Sequence, residues 1–397
     1  MTTTATAVGA RFGVVGRSTA ERAVVESRPG QRWQFSTQWE MLELADGSLF
    51  FDSTYADHRV ISAPPEALRF ILRIIEDSRP TLEAVAEQVV GDRTPATVAR
   101  IERLLSPLTK AGIVVPLRDE QRPGWADDAL VERFSTQIEW LGTLSATPHG
   151  HWDYLARLRG ASVAVIGLGG AGSLLALALA AAGVGRLTLV DGDTVEVSNL
   201  TRQVLYSPDQ SGLSKADCLA ERLERFSPYT QYMIRRQYVS SPEDVRDCVE
   251  GADFVAVCAD APRFTLNRWI DAVCKKSAVP YLGAFAGSVG PMYRPKSPGC
   301  FSCFEQQLRD ELGGRHDMVV DALAAKRSWR YPAFVSGPLT VAHLMTTEIV
   351  LQLTGIAQPS SAGGVMRYQH PTTVVEPFPG HPACDCSATA GAAGMPS

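Results

Sequence analysis

The apolar run Val163-Ala164-Val165-Ile166 passes without a break into Gly167-Leu168-Gly169-Gly170-Ala171-Gly172, which opens a helix-length segment from Ser173 to Gly183. A short apolar run of this kind reads as a buried strand. Glycines between such a strand and a helix permit a tight turn and let backbone N–H groups approach a phosphate at the helix N-terminus. The alternation continues, with Leu187 to Val190 as a second strand, Lys215 to Phe226 as a helix and Phe254 to Val257 as a further strand. Strands alternating with helices imply an α/β fold whose mostly parallel sheet is covered on both faces. Asp191 ends the second strand, near the spacing of about 20 residues expected of an acid that binds ribose hydroxyls. Nucleotide binding follows, but NAD and ATP stay open, because both present phosphates and a ribose.

Eight cysteines fall into two groups. Cys218, Cys248, Cys258 and Cys274 are scattered through apolar segments and read as small core residues. Cys300-Phe301-Ser302-Cys303 and Cys384-Asp385-Cys386 are close pairs. The first residues, MTTTATAVGA, lack the basic start and apolar core of an export signal, so a cytoplasmic protein is expected. In that setting paired cysteines favour metal over disulfides, and four thiolates suit a tetrahedral Zn²⁺ that clips distant segments together. The second pair is C-x-C, a tighter spacing than C-x-x-C, and His381 offers an alternative ligand. A net charge of -5 gives no basic footprint for nucleic acid. The apolar stretch Leu174 to Ala182 is about half the ~20 residues that a membrane span needs.

A second, smaller domain is expected over residues 35–118. Met41, Leu42 and Leu44 lead through Ala45-Asp46-Gly47 into Ser48-Leu49-Phe50-Phe51, a hairpin signal, with a third strand at Arg59 to Ser62. Leu68, Ile71, Leu72 and Ile75 predict a helix beginning near Pro64 and Pro65. Thr81 can cap a second helix. A third runs from Thr94 to about Ala111, with Pro107 expected to bend or shorten its last turn and Gly112 to end it. Ile113 to Val115 closes the unit, giving a winged-helix-like α+β domain. Residues 1 to about 34 look loose, 116–130 suit a linker, and the tail after Ser387 is expected to be disordered.

The stretch Asp191-Gly192-Asp193-Thr194-Val195-Glu196-Val197-Ser198-Asn199-Leu200-Thr201-Arg202-Gln203 closely resembles the segment that wraps the triphosphate of ATP in the family of ThiF, MoeB and the ubiquitin-activating enzymes. The resemblance covers about residues 130–390 and implies a Rossmann-like, ATP-dependent adenylation domain. It implies that Gly167, Gly169, Gly170, Gly172, Asp191, Asp193, Asn199, Arg202, Gln203 and Lys215 bind ATP. It implies too that Asp260, in Cys258-Ala259-Asp260, holds Mg²⁺. Arg202, Lys215 and Asp260 are then the catalytic set, since a carboxylate attacking the α-phosphorus needs phosphate charge neutralised. The four paired cysteines match the family's structural zinc, and a homodimer is implied. Glu132-Arg133-Phe134-Ser135-Thr136-Gln137 stands where the family carries an R-Y-S-R-Q segment, with Thr136 in place of the second arginine. No cysteine lies between Cys303 and Cys384, where thioester-forming members place a nucleophile, so adenylation is the expected end of the chemistry.

Asp260 to Asp271, Pro280 to Ala284, Gly290 to Tyr293 and Pro298 to Cys303 resemble the microcin C adenylating (MccB-like) branch of the family. That branch carries an N-terminal peptide clamp, and residues 35–118 resemble such a PqqD-like module. An edge strand at Arg59 to Ser62 would add a leader peptide as an extra strand. The combined expectation is adenylation of a carboxylate on a ribosomally made precursor peptide. Rival readings are a non-catalytic leader-binding partner of a cyclodehydratase, an activator of a sulfur-carrier protein, a DNA-binding winged helix and an NAD-dependent oxidoreductase. The last leaves Ser198 to Gln203 without purpose.

Overall fold

The computed structural model describes residues 30–36, 38–53, 58–62, 64–117, 122–144, 150–285, 287–325, 333–369 and 372–388. They divide into two units, the first ending at Arg122 and the second beginning at Pro123.

In the first unit β1 (Trp33–Phe35) is followed by β2 (Trp39–Glu43), β3 (Leu49–Ser53) and β4 (His58–Ile61). Then come α1 (Glu66–Ser78), α2 (Leu82–Val90), α3 (Pro95–Lys110) and β5 (Val114–Pro116). β2, β3 and β4 form an antiparallel meander, and the β2–β3 turn works because Gly47 takes φ +80 while Asp46 accepts from the Ser48 N–H. Thr81 and Thr94 cap α2 and α3 by accepting from Ala84 and Thr97. Phe51, Ile71, Leu72, Ile75, Val85 and Leu105 pack into one core. Two expectations need correction. Residues 33–35 form a strand, paired with β5; a three-residue strand is too short to show a period, and its partner lies far along the chain. Pro107 does not shorten α3, which runs on to Lys110 before Gly112, at φ +68, turns the chain and lets Ile113 N–H bond Leu108 C=O.

The second unit opens with α4 (Asp128–Leu144), so the expected linker is helical at its end; Asp127 accepts from the Leu130 N–H there. α5 (Gly150–Gly160), β6 (Ser162–Ile166), α6 (Gly170–Ala181), β7 (Arg186–Val190), α7 (Lys215–Phe226) and β8 (Gln231–Arg235) follow. Next are α8 (Pro242–Val249), β9 (Phe254–Val257), α9 (Thr265–Ser277), β10 (Tyr281–Phe285) and β11 (Ser288–Val289). The unit ends with α10 (Phe301–Leu312), α11 (His316–Ala325), α12 (Ser336–Thr354), β12 (Gly364–Gln369), β13 (Thr372–Pro377) and α13 (Asp385–Ala388). The tail beyond 388 lies outside the described residues.

The eight-stranded sheet has the order β13-β12-β11-β10-β9-β6-β7-β8; its segment from β10 to β8 is parallel, and β11, β12 and β13 extend it antiparallel. Every residue of β6 is buried, and its side chains alternate between two cores. Val163 and Val165 pack with α6, α7 and α12, while Ala164 and Ile166 pack with α8, α9 and α10. Burying each Val or Ile contributes about 1.5–3 kcal/mol, which fixes the register of this strand against a one-residue slip.

Candidate active site

Because β7, β6 and β9 run parallel and in register, Val190, Ile166 and Val257 lie side by side at one sheet edge. The next residues, Asp191, Gly167 and Cys258, therefore leave the sheet together, at the edge where α/β folds place ligands. Gly167 has φ +89, and a Cβ there would stand 2.5 Å from the Ala259 nitrogen. Gly172 is equally committed, since its Cβ would fall 1.8 Å from the Gly167 oxygen. The loop thus lies against the Cys258-Ala259-Asp260 segment, and only glycine allows it. Gly169 caps α6 and Gly170 begins it, with the backbone of Arg202 beside Gly170.

Asp191 accepts from the Leu168 N–H (2.6 Å) through Oδ2 and from the Asp193 N–H (2.7 Å) through Oδ1. It braces both loops, and its remaining lone pairs can still accept from a ribose hydroxyl. Lys215, almost wholly buried at the first turn of α7, donates to Asp193 Oδ2 at 2.9 Å. Tyr238 Oη donates to Asp193 Oδ1 at 2.7 Å. Burial pushes the Asp193 carboxyl up, but the bonds from Lys215 and Tyr238 outweigh it and hold it below its ordinary range. The same bond to Asp193 pushes the Tyr238 phenol up to about 12, so it stays a donor.

Asn199 and Gln203 are buried, and Asn199 Oδ1 and Gln203 Oε1 have no hydrogen-bond partner. Their carboxamides can turn over, so each position offers either an acceptor or an N–H₂ donor to a ligand. Unpaired buried polar atoms are rare enough to require an explanation, and a bound polar group supplies one. Arg202 is half-buried and donates to the Ser198 carbonyl at 3.2 Å. Asp260 is exposed and lines a cavity of about 740 Å³ together with Ala171, Asn267, Phe301, Phe304 and Pro338. Cys258 lines it too, and burial pushes its thiol up to about 12, which leaves it a poor nucleophile.

Cys300, Cys303, Cys384 and Cys386 converge on one buried point, their sulfurs all within 4.8 Å of one another. Cys300 Sγ lies 3.7, 3.6 and 3.6 Å from those of Cys303, Cys384 and Cys386, and Cys303 and Cys386 are 3.2 Å apart. A tetrahedron with Zn–S bonds of about 2.3 Å has edges of roughly 3.8 Å, so the donor set fits zinc. Both thiols of the C-x-C pair reach the cluster, because the chain turns into α13 at Asp385 between them. His381 is turned elsewhere, with Nε2 2.9 Å from Asp310 Oδ2. Lys275 Nζ stands 3.8 Å from Cys384 Sγ, where it would offset the charge of metal-bound thiolates.

The ThiF family matches residues 144–388 of this sequence. The chain belongs to the ThiF family. The sulfur carrier protein ThiS adenylyltransferase of Escherichia coli is 34% identical over 214 residues, which cover 52% of this chain and 78% of that protein. The adenylyltransferase and sulfurtransferase uba4 of Pyricularia oryzae is 32% identical over 175 residues, 41% of this chain and 35% of that protein. The match thus spans about a third of the length of such fungal relatives. Among solved structures, E. coli MccB with MccA-N7isoASN superposes with a TM-score of 0.68 at 19% identity, covering 90% of this chain and 99% of that one. PaaA gives 0.64 at 23% identity, covering 86% and 98%. These two likenesses concern the fold.

For this ThiF-family chain, motif spacing alone does not reveal Tyr206, Tyr238 or Asn267. Tyr206, buried beyond the family segment, donates to the Leu168 carbonyl at 2.7 Å and so holds the glycine loop. Tyr238 follows the end of β8, the strand beside β7, and a topology with β8 at that edge is the signal that would have found it. Arg133, in the segment read against the family's arginine pair, donates to the Phe226 carbonyl at 3.1 Å and lies over the Phe226 ring.

Proposed function

We propose that this chain uses ATP to adenylate a carboxylate on a ribosomally made precursor peptide. The observation that carries the reading is the pair of unpaired buried carboxamide atoms, on Asn199 and Gln203, in the segment that also bears Arg202 and precedes Lys215. In this reading Gly167, Gly169, Gly170 and Gly172 seat the nucleotide against the start of α6. Asn199 and Gln203 bond phosphate oxygens without adding charge. Lys215, now on Asp193, and Arg202, now on Ser198, turn to the phosphates and offset their charge. Asp260 is the residue that would hold Mg²⁺, a hard cation suited to a carboxylate and phosphate oxygens; bound, it supplies phosphate charge neutralisation. A carboxylate oxygen forms a bond to the α-phosphorus as the bond to the bridging oxygen of the β-phosphate breaks. The products are acyl-AMP and pyrophosphate, and no proton is required. The four cysteines would hold a structural zinc that clips residues 300–303 to residues 384–386.

The peptide part of the reading is supported by the fold likeness to MccB, which spans 90% of this chain and whose structures include MccA. The first unit would bind a leader peptide as a strand beside β4, with main-chain bonds giving affinity. A homodimer in the cytoplasm completes it. No described helix is long and apolar enough to cross a membrane.

The test is ATP–pyrophosphate exchange with Mg²⁺ and short peptides encoded beside the gene. Exchange that needs both a peptide and Asp260, and that Asp260→Ala abolishes while peptide binding persists, supports the reading. Tight peptide binding without exchange would leave a leader-binding scaffold. A second reading, activation of a sulfur-carrier protein, is favoured by the 34% identity to the ThiS adenylyltransferase. Exchange stimulated by a ThiS-type carrier and by no peptide would select it.

A further inference from the structure

We infer that the cavity beside Asp260 is an acyl pocket selecting a substrate whose reacting carboxylate belongs to a residue with a bulky apolar or aromatic side chain, with Asn267 positioning the adjoining amide. The inference rests on the adenylation reading above and deepens it.

Three observations meet in this cavity. Its volume, about 740 Å³, is far larger than a small acyl group needs and falls within the roughly 300–1,000 Å³ of small-molecule sites. One side is an aromatic wall centred on Phe301, whose ring lies 6.1 Å from Phe264, 5.7 Å from Phe285 and 5.9 Å from Phe304. All four rings line the cavity. Edge-on and tilted rings at these spacings offer faces and edges to an aromatic or branched side chain. The cavity also begins at the nucleotide loop. Ala171 in the first turn of α6 lines it, and Pro338, another lining residue, abuts Gly170. A carboxylate held between that loop and Asp260 therefore has its own side chain in the aromatic space.

Asn267 supplies the polar contact. It is only 8% exposed, lines the cavity from α9, and its carboxamide takes part in no side-chain hydrogen bond among the described residues. A carboxamide on the cavity wall with no side-chain partner is available to a ligand. Its paired C=O and N–H₂ match the N–H and C=O of a peptide bond, so the match is to an amide one bond from the reacting residue. A glycyl substrate would meet Asn267 but leave the aromatic wall unfilled. A bulky apolar residue uses both.

The probes are 5′-O-sulfamoyladenosines bearing N-acetylphenylalanyl or N-acetylglycyl groups, titrated calorimetrically into the full chain, with AMPPNP as the nucleotide control. The expected result is phenylalanyl binding about 10- to 100-fold tighter than glycyl binding, the range set by burying one large side chain. Asn267→Leu should weaken both acyl probes about 10-fold and leave AMPPNP unchanged, and Asn267→Ser, which keeps a hydrogen-bonding group, should recover part of the loss. Should Asn267→Leu fold poorly, the comparison of probes on the wild-type chain still decides. Equal affinity for the two acyl probes, with AMPPNP bound, overturns the pocket and leaves the nucleotide site standing. Failure of all three probes to bind overturns the adenylation reading beneath it.

Discussion

Replacing Tyr206 by phenylalanine removes one oxygen and nothing else, and that oxygen holds the glycine loop. Leu168 is pinned at both ends of its peptide groups: its N–H goes to Asp191 Oδ2 at 2.6 Å and its carbonyl receives the Tyr206 hydroxyl at 2.7 Å. Tyr206 is 5% exposed, and the Leu168 side chain is fully buried, so water does not readily replace the lost donor. Leaving a buried carbonyl unpaired costs about 1–3 kcal/mol. For a unit of this size that lowers Tm by roughly 2–10 °C. Of the two bonds made by Leu168 itself only the one to Asp191 then remains, and a loss of about 1–2 kcal/mol in loop positioning weakens AMPPNP roughly 5- to 30-fold. Burial holds the Tyr206 phenol well above its ordinary range, so the wild-type bond persists across the working pH and the difference between the two proteins does not depend on it.

Tyr232 provides the control. Its hydroxyl donates to the Leu223 and Ser227 carbonyls, both at 3.1 Å, on the far side of α7 from its first turn. Tyr232→Phe should lower Tm by a similar margin and leave AMPPNP affinity within twofold of wild type. Differential scanning fluorimetry and calorimetric titration read the two effects separately. If Tyr206→Phe lowers Tm but binds AMPPNP as tightly as wild type, the loop is not the phosphate cradle and the hydroxyl serves stability alone.

Cys384→Ser should reduce zinc from about one ion per chain to none by mass spectrometry of the metal, and lower Tm without changing AMPPNP affinity once the protein is folded; retention of a full equivalent of zinc would remove the site. Asp193 has its carboxyl held below the ordinary range, so its contribution is fully present above about pH 4 and is lost as pH falls through the lowered value. Asp193→Asn should therefore flatten the loss of stability in acid, read by guanidinium unfolding from about pH 5 down to pH 2.5, and an unchanged slope would show that the Lys215 and Tyr238 bonds do not stabilise the fold. Sedimentation at micromolar concentration should show a dimer, and a monomer throughout would count against two-fold assembly.

The central strands and the glycine loop were legible because their physics is local. A strand buried on both faces is an unbroken apolar run, as in β6 and β9, and a loop beside backbone must be glycine at Gly167 and Gly172. That the two cysteine pairs would meet was legible for a similar reason, and the four sulfurs do lie within 4.8 Å of one another. What stayed hidden is set by pairing across the fold. β1 exists only against β5, and the antiparallel extension through β11, β12 and β13 follows no helix–strand alternation. Tyr206, Tyr238 and Asn267 carry no motif, because each acts on a partner that topology supplies: the Leu168 carbonyl, the Asp193 carboxylate and an empty volume.

Buried polar groups differ in whether the fold itself satisfies them. Glu348 is as buried as Asn199, yet both the N–H and the hydroxyl of Ser361 donate to its Oε2 at 2.6 Å, so its desolvation is repaid within the fold. Asn199 Oδ1 and Gln203 Oε1 receive no such repayment. Both lie in the second unit on the segment that follows the end of β7, and Asn267 lies on the segment after β9, where the parallel strands deliver the glycine loop and Asp260. On the proposed reading, Asn199 and Gln203 are closed by a bound nucleotide. The nucleotide's phosphates would pair with those two carboxamides, and a peptide amide with Asn267 on the cavity wall, so that one substrate pair would engage all three.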